Sequence, residues 1–346
     1  MKRGFESGLR WVWLMLVALA VGVGCQDQAS QRPATTRGGE QPGATQAVST
    51  GDPAKTAEPA DPAYPLEVAD SAGYTLRLAQ RPRRIVSTAP SNTEIVFAVG
   101  AGEQLVGVTT YCNYPPEAKQ REKIGGFSPK SISVESIVNL KPDLVLTTGG
   151  IQQPLTASLR QVGLPVLSYD ADTLDGVIEN VRRIGRACGR AREAEALASK
   201  LQERLAATRA RAAARKTAGP RVLLLLSEEP LMTVGPKTFL GQMLELAGGR
   251  NIFADVTQQY PRISEEQIIQ RNPEVIVLWD GGNAAARRQQ LANRPGWGQL
   301  EAVRQQRLPA INEDLISRPT PRLFDGLDEL ARVLESFGQL PPTSSP

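Results

Sequence analysis

Apolar residues in this chain fall into short unbroken runs, and helical patterns fill the spaces between them. Ile85 and Val86 in Arg84-Ile85-Val86-Ser87 suit a buried strand, which ends in the polar turn Ala89-Pro90-Ser91-Asn92-Thr93-Glu94. A helical pattern then runs through Ile95, Val96, Phe97 and Val99 and stops at Gly100. Val106-Gly107-Val108 reads as a second strand, with Leu144-Val145-Leu146 and Val166-Leu167 as a third and fourth. After residue 220 the plan returns. Val222 to Leu226 is a buried strand, Phe239 to Ala247 a helix stopped by Gly248-Gly249, and Val275 to Leu278 another strand. Strands alternating with helices predict an α/β protein with doubly wound, mostly parallel sheets.

One segment displays the duplication directly. Ile132-Ser133-Val134-Glu135-Ser136-Ile137-Val138 is matched by Ile263-Ser264-Glu265-Glu266-Gln267-Ile268-Ile269. Lys141-Pro142-Asp143-Leu144-Val145-Leu146 is matched in the same register by Asn272-Pro273-Glu274-Val275-Ile276-Val277. Each copy places a Ser-capped helix before a proline turn and a strand. Two lobes of like architecture follow, the first over residues 66–173 and the second over 218–340. Between them, 174–217 is rich in Ala, Arg, Glu and Leu, lacks proline, and carries Leu197, Leu201 and Leu205 at heptad-like spacing. It predicts one long rigid linking helix, hence lobes that move little.

The N-terminus reads as an address. Lys2, Arg3 and Arg10 precede the uncharged stretch Trp11 to Val23, about the length of a signal-peptide core and short for a membrane span. Cys25 at its end resembles the lipidated cysteine of a bacterial lipoprotein signal over residues 1–25, although Gly22 departs from that pattern. Residues 26–65 are dominated by Gln, Thr, Ala, Gly, Pro and Ser and are expected to be a disordered tether. These features predict export and anchoring to a membrane by lipid alone.

Composition mainly excludes. The chain has 346 residues, no histidine, three cysteines and a net charge of +4 without a basic cluster. Histidine-based catalytic sets and zinc sites are ruled out, and nucleic-acid binding has no support. Cys112 and Cys188 are expected to be free thiols. Gly235-Pro236-Lys237-Thr238 mimics the tail of a phosphate loop, but Pro236 removes a needed N–H. Glu228, Glu229 and Glu245 show no metal-site spacing and read as solvated.

Candidate ligand contacts are aromatic or apolar residues in turns that follow strands, where two-lobed sheet proteins bind ligands. Tyr111, Phe127, Met232 and Tyr260 meet that description and would face a large, flat or apolar ligand. For any one of them taken alone, core packing is the favoured explanation, and it is their shared placement in turns after strands that points to a ligand.

Ala89-Pro90-Ser91-Asn92-Thr93-Glu94, Tyr111-Cys112-Asn113-Tyr114-Pro115-Pro116 and Leu140-Lys141-Pro142-Asp143-Leu144-Val145 together carry a resemblance. The chain resembles the substrate-binding proteins of iron-siderophore, haem and cobalamin ABC importers, over roughly residues 80 to 340, and most of all the cobalamin-binding branch. That resemblance implies two lobes joined by a helix, no catalysis and no cofactor. The ligand would be a cobalt corrinoid or a ferric chelate, and the partner a two-fold permease with ATPase subunits served by a monomer. Tyr111 falls where the cobalamin branch has a ligand-contacting tyrosine. Phe127 and Tyr260 replace tryptophans there, Met232 replaces a phenylalanine, and Thr148 stands where another tryptophan is found. Asp314 and Arg318 match second-lobe residues that face the ligand. Glu135 and Glu266, at equivalent repeat positions, match the carboxylates that dock the permease. Arg318 and Arg262 leave an anionic siderophore open as the alternative ligand, and a sensor lipoprotein without transport as a further alternative.

Overall fold

The computed structural model describes residues 63–338, so the signal peptide, Cys25 and all but the last residues of the tether lie outside the described residues. The first lobe opens with an antiparallel hairpin that the apolar pattern did not reveal, β1 (Leu66–Ala69) and β2 (Thr75–Leu78). It continues as β3 (Ile85–Ser87), α1 (Pro90–Ala98), β4 (Leu105–Val108), β5 (Glu122–Lys123), α2 (Val134–Asn139), β6 (Leu144–Thr147), α3 (Gln153–Gln161) and β7 (Val166–Ser168). Two helices follow, α4 (Leu174–Ala187) and α5 (Ala191–Ala213). The second lobe runs β8 (Arg221–Leu225), β9 (Ser227–Glu228), β10 (Leu231–Met232), α6 (Phe239–Leu246), β11 (Arg250–Asn251) and α7 (Glu265–Arg271). It closes with β12 (Val275–Asp280), α8 (Ala284–Ala292), α9 (Glu301–Arg304), β13 (Ala310–Asn312), α10 (Glu313–Ile316) and α11 (Leu323–Gly338).

Each lobe is built on an all-parallel sheet, ordered β5-β4-β3-β6-β7 in the first and β11-β8-β12-β13 in the second. Their central strands are apolar on both faces, as parallel sheets covered by helices require. Val222 and Leu224 of β8 point into one core, while Leu223 and Leu225 point into another. In each sheet the first strand lies inside, with later strands added on both sides. The direction in which successive strands are added therefore reverses between β3 and β6, and between β8 and β12, which opens a crevice at the carboxyl ends of those strands.

Hydrophobic burial falls into three clusters. One lies on the outer face of the first sheet under α2 and α3, another on the outer face of the second under α7, α8 and α9. The largest cluster does not stop at the lobe boundary. It runs from Ile85, Ile95 and Leu146 through Val181, Ile184, Leu201 and Leu205 to Leu224, Met243, Phe324 and Leu334. The helices between the lobes are thus part of a shared core.

The expected long helix is present as α5, but the stretch assigned to it divides. Gly189, at φ +68°, takes a left-handed conformation that most residues resist, and it ends α4 two residues before α5 begins. Ala194, Ala198, Leu201 and Leu205 form the buried seam of α5. Arg182 of α4 reaches Glu195 at 2.9 Å, and Arg204 of α5 reaches Asp328 of α11 at 2.7 Å. The link is a helical hairpin packed on both lobes. Cys112 and Cys188 are both buried free thiols, and burial pushes Cys188 up to about 12.

Candidate functional site

The crevice between the lobes holds a cavity of about 240 Å³. The first lobe contributes Pro90 and Ser91 at the start of α1, Phe127, the turn Thr148-Gly149-Gly150-Ile151 after β6, and Asp170-Ala171-Asp172 after β7. From the second lobe come Phe239, Gln259, Tyr260 and Ser317-Arg318-Pro319. Loops after β3 and β6 border the reversal point of the first sheet, so topology sets where this cavity forms.

A buried amide holds the first-lobe wall. Gln152 donates through Nε2 to the Thr88 carbonyl at 2.9 Å and to the Phe127 carbonyl at 2.8 Å. Its Oε1 accepts from the Thr88 hydroxyl at 2.6 Å and from the Thr148 N–H at 3.1 Å. Every hydrogen-bonding position on the amide is used, and three separate loops are pinned to one side chain. The Asp170 loop is braced by the N-terminal hairpin. The Asp170 N–H donates to the Ser71 hydroxyl at 3.1 Å, and Asn180 donates to the Asp170 carbonyl at 3.0 Å.

On the second lobe, residues 231–235 run beside 259–263. The Gly235 N–H donates to the Gln259 carbonyl at 2.7 Å and the Ile263 N–H to the Leu231 carbonyl at 3.0 Å, which fixes Tyr260 at the cavity wall. Burial raises the Tyr260 phenol above its ordinary range, with Asp172 and Asp170 adding to the effect. Thr238, the last residue of the phosphate-loop mimic, is a helix cap: its hydroxyl accepts from the Gly241 N–H at 2.9 Å.

Behind the cavity the lobes are joined by charge. Glu94 of α1 accepts from Arg318 at 3.0 Å, and from Arg322 at 2.8 and 2.7 Å. Arg318 also binds Asp314 at 2.6 Å and donates to the Asn113 amide oxygen at 2.6 Å. The Asn113 amide nitrogen donates to Asp314 at 2.9 Å.

Of the residues singled out in the sequence, Phe127, Tyr260 and Arg318 line the cavity. The other three ligand candidates are not among its lining residues. Tyr111 is half-buried and packs toward the Gly125-Gly126 turn, where a Cβ added at Gly126 would lie 3.6 Å from its ring. Met232 is buried in the shared core, because its strand is held antiparallel to Arg262. Asp314 is spent on the junction with Arg318 and Asn113. Glu228 is not solvated as expected: it is buried and paired with Arg287 at 2.8 Å. Glu135 and Glu266 are both exposed at the second position of α2 and α7, each in the first turn after a Ser cap.

Sequence reading missed Asp170, Asp172, Phe239 and Gln152. The two aspartates come just after a strand, which is the positional signal for a cleft residue, but they lack the aromatic or apolar character expected of contacts to a flat ligand. Among the described residues there is no cluster of three or more His, Cys, Asp or Glu able to hold a metal ion, and no helix is long and apolar enough to cross a membrane.

A family model described as periplasmic binding protein matches residues 85–315, a span that includes the cavity and both sheets. The chain belongs to the periplasmic binding protein family. It is 33% identical over 277 residues to an uncharacterized ABC transporter substrate-binding lipoprotein of Bacillus subtilis, covering 78% of this chain and 86% of the relative. The solved periplasmic vitamin B12 binding protein of Vibrio cholerae superposes with a TM-score of 0.64 at 31% identity, over 75% of this chain and 99% of that one. The periplasmic heme-binding protein of Roseiflexus, in its apo form, superposes with a TM-score of 0.67 at 30% identity, over 74% and 99%. This periplasmic binding protein is accordingly an extracytoplasmic substrate-binding component of ABC transport, in the class that includes vitamin B12, haem and iron carriers. Proteins of this kind carry ligands rather than cofactors and work with a membrane permease and its ATPase. The family is one of solute carriers and not an enzyme class.

Proposed function

We propose that this protein captures a corrinoid in the interlobe cavity and delivers it to a two-fold ABC permease, while a lipid on Cys25 holds it at the membrane and residues 26–65 act as a tether. The observation that carries this reading is the cavity itself. It lies between two parallel sheets at a reversal point, with Phe127, Tyr260 and Phe239 as apolar walls. At about 240 Å³ its enclosed part is below the roughly 300–1,000 Å³ of pockets that swallow a ligand. A macrocycle would be gripped along one edge and left open on the other. Similarity to a vitamin B12 binding protein at 31% identity supports the corrinoid, and the lipoprotein relative supports the anchor.

Glu135 and Glu266 are the proposed docking residues, because their equivalence within the repeat suits a partner with two-fold symmetry. Each is an exposed carboxylate beside a helix N-terminus, free of any part in the cavity.

A second reading is a ferric siderophore or haem, favoured by the similarity to a heme-binding protein at 30% identity. Absorbance and mass spectra of ligand co-purifying with, or captured by, the mature protein decide between them. The corrinoid reading expects the absorption bands of a cobalt corrinoid; a Soret band or a ferric-chelate band in its place would overturn it.

A further inference from the structure

Charge in the cavity is one-sided. Three lining residues are charged: Asp170, Asp172 and Arg318. Arg318 is almost wholly buried, and its guanidinium is already matched by Glu94 at 3.0 Å and Asp314 at 2.6 Å. Its positive charge is therefore used within the protein and offers a ligand little. The aspartates stand differently. The Asp170 carboxylate accepts one hydrogen bond, from the N–H of the next residue at 3.0 Å, and the Asp172 carboxylate accepts none among the described residues. Neither has a cationic partner there.

These carboxylates are also held in place. Asp170 is fixed through its backbone by Ser71 and Asn180, and Thr173 caps α4 directly after Asp172. Gly149 lines the cavity beside Asp170, and a Cβ added there would come within 2.6 Å of Asp170 Oδ2. The loop thus cannot swing its acceptors away without breaking bonds on two sides. Asp170 and Asp172 both keep exposed surface at the cavity. Partial desolvation of the Asp170 carboxylate, followed by the charge of Asp172, raises its pKa, so a ligand carboxylate placed here would add to an existing repulsion.

We infer that Asp170 and Asp172 form the acceptor end of the cavity, selecting ligands whose facing edge carries amide or ammonium donors and rejecting ligands that present carboxylates there. The inference rests on the cavity being the ligand site, and it narrows the proposed ligand from any macrocycle or chelate to a donor-fringed one. Repulsion by unpaired like charge is a common source of such discrimination.

The test uses two matched pairs of probes titrated against the mature protein by calorimetry. Cobinamide and cobyrinic acid share one ring, fringed by amides in the first and by carboxylates in the second. Ferrioxamine B carries a free ammonium, and ferric citrate carries carboxylates. The wild type is expected to prefer the donor-bearing member of whichever pair it binds by about tenfold or more. Asp170→Asn/Asp172→Asn should bring the two members toward equal affinity. Asp172→Asn alone, which breaks no bond seen in the structure, should narrow the preference about threefold and serves if the double variant fails to fold. If neither corrinoid binds but a ferric chelate does, the corrinoid reading fails and the second pair still decides the charge inference. Equal affinities within the bound pair, a preference untouched by the variants, or no binding of any probe would overturn it.

Discussion

Glu94 of the first lobe and Arg318 of the second form a 3.0 Å ion pair in which the side chains are 2% and 3% exposed. Few charges in a protein are so thoroughly removed from water, and here Arg322 adds a second guanidinium to the same carboxylate. Desolvating such groups costs several kcal/mol each, so the pair holds only because every charge has a partner. Glu94→Gln takes this carboxylate charge away from both guanidiniums, while Arg318 keeps its bonds to Asp314 and Asn113. It is expected to lower stability by about 3–5 kcal/mol, read from urea unfolding. A loss below about 1 kcal/mol would mean that the lobes are held by the shared core and that the charges merely fill the gap.

The cavity separates residues that the sequence grouped together. Tyr260→Ala and Phe127→Ala are each expected to weaken ligand binding by roughly 1–3 kcal/mol, since both line the wall. Met232→Ala should leave affinity nearly unchanged and cost about 2–5 kcal/mol of stability, as a buried core truncation does. Tyr111→Ala should weaken binding by less than either wall variant. Calorimetry and melting curves on the four proteins check this ordering.

Glu313 ties stability to pH. Burial pushes its carboxyl up to about 7, helped by Asp314 and opposed by Arg287 and Arg318, and its Oε1 has no hydrogen-bond partner. The folded protein thus keeps this proton up to about pH 7, whereas the unfolded chain gives it up near the ordinary value of 4.5. The stability associated with the protonated group is complete below 4.5 and is lost as pH rises through 7. Glu313→Gln, which copies the neutral form, should match the wild type near pH 4 and melt a few degrees higher by pH 8. A melting difference that does not grow between those two values would refute the assignment.

Delivery can be tested apart from capture. Glu135→Ala/Glu266→Ala should bind ligand in solution as the wild type does, because neither residue lines the cavity. Transport in vesicles containing the permease should nearly vanish, since partly buried charge pairs at interfaces matter by a few kcal/mol. Normal transport would reduce both residues to ordinary acids at helix N-termini, favoured there by the dipole.

What the sequence revealed follows from periodicity. Val222 to Leu225 and Val275 to Leu278 are apolar at every position because both faces of a parallel strand are covered, and such runs stand out without a structure. The repeat was legible because caps and proline turns recur in register. The hairpin β1–β2 was not, because half of its residues are exposed and it is too short for alternation to register. At the site, Phe127 and Tyr260 could be found from their place in turns after strands. Asp170 and Asp172 follow the same rule but carry no aromatic signature. Gln152 was illegible for a different reason: besides a local bond to Thr148, its worth lies in bonds to Thr88 and Phe127 on loops distant in sequence, and no local pattern records a tertiary bond.

The core that passes from Ile85 through Leu201 to Leu334 makes the two lobes thermodynamically inseparable. A duplicated chain is often two folding units in series, each able to melt while its twin persists. Here either half, cut free at α5, would expose the seam of Ala194, Ala198, Leu201 and Leu205, together with the helices packed on it. The described body should therefore unfold in one cooperative transition, with calorimetric and van't Hoff enthalpies equal. A fragment ending before α5 should remain unfolded or aggregate, however well its own sheet is formed in the intact protein.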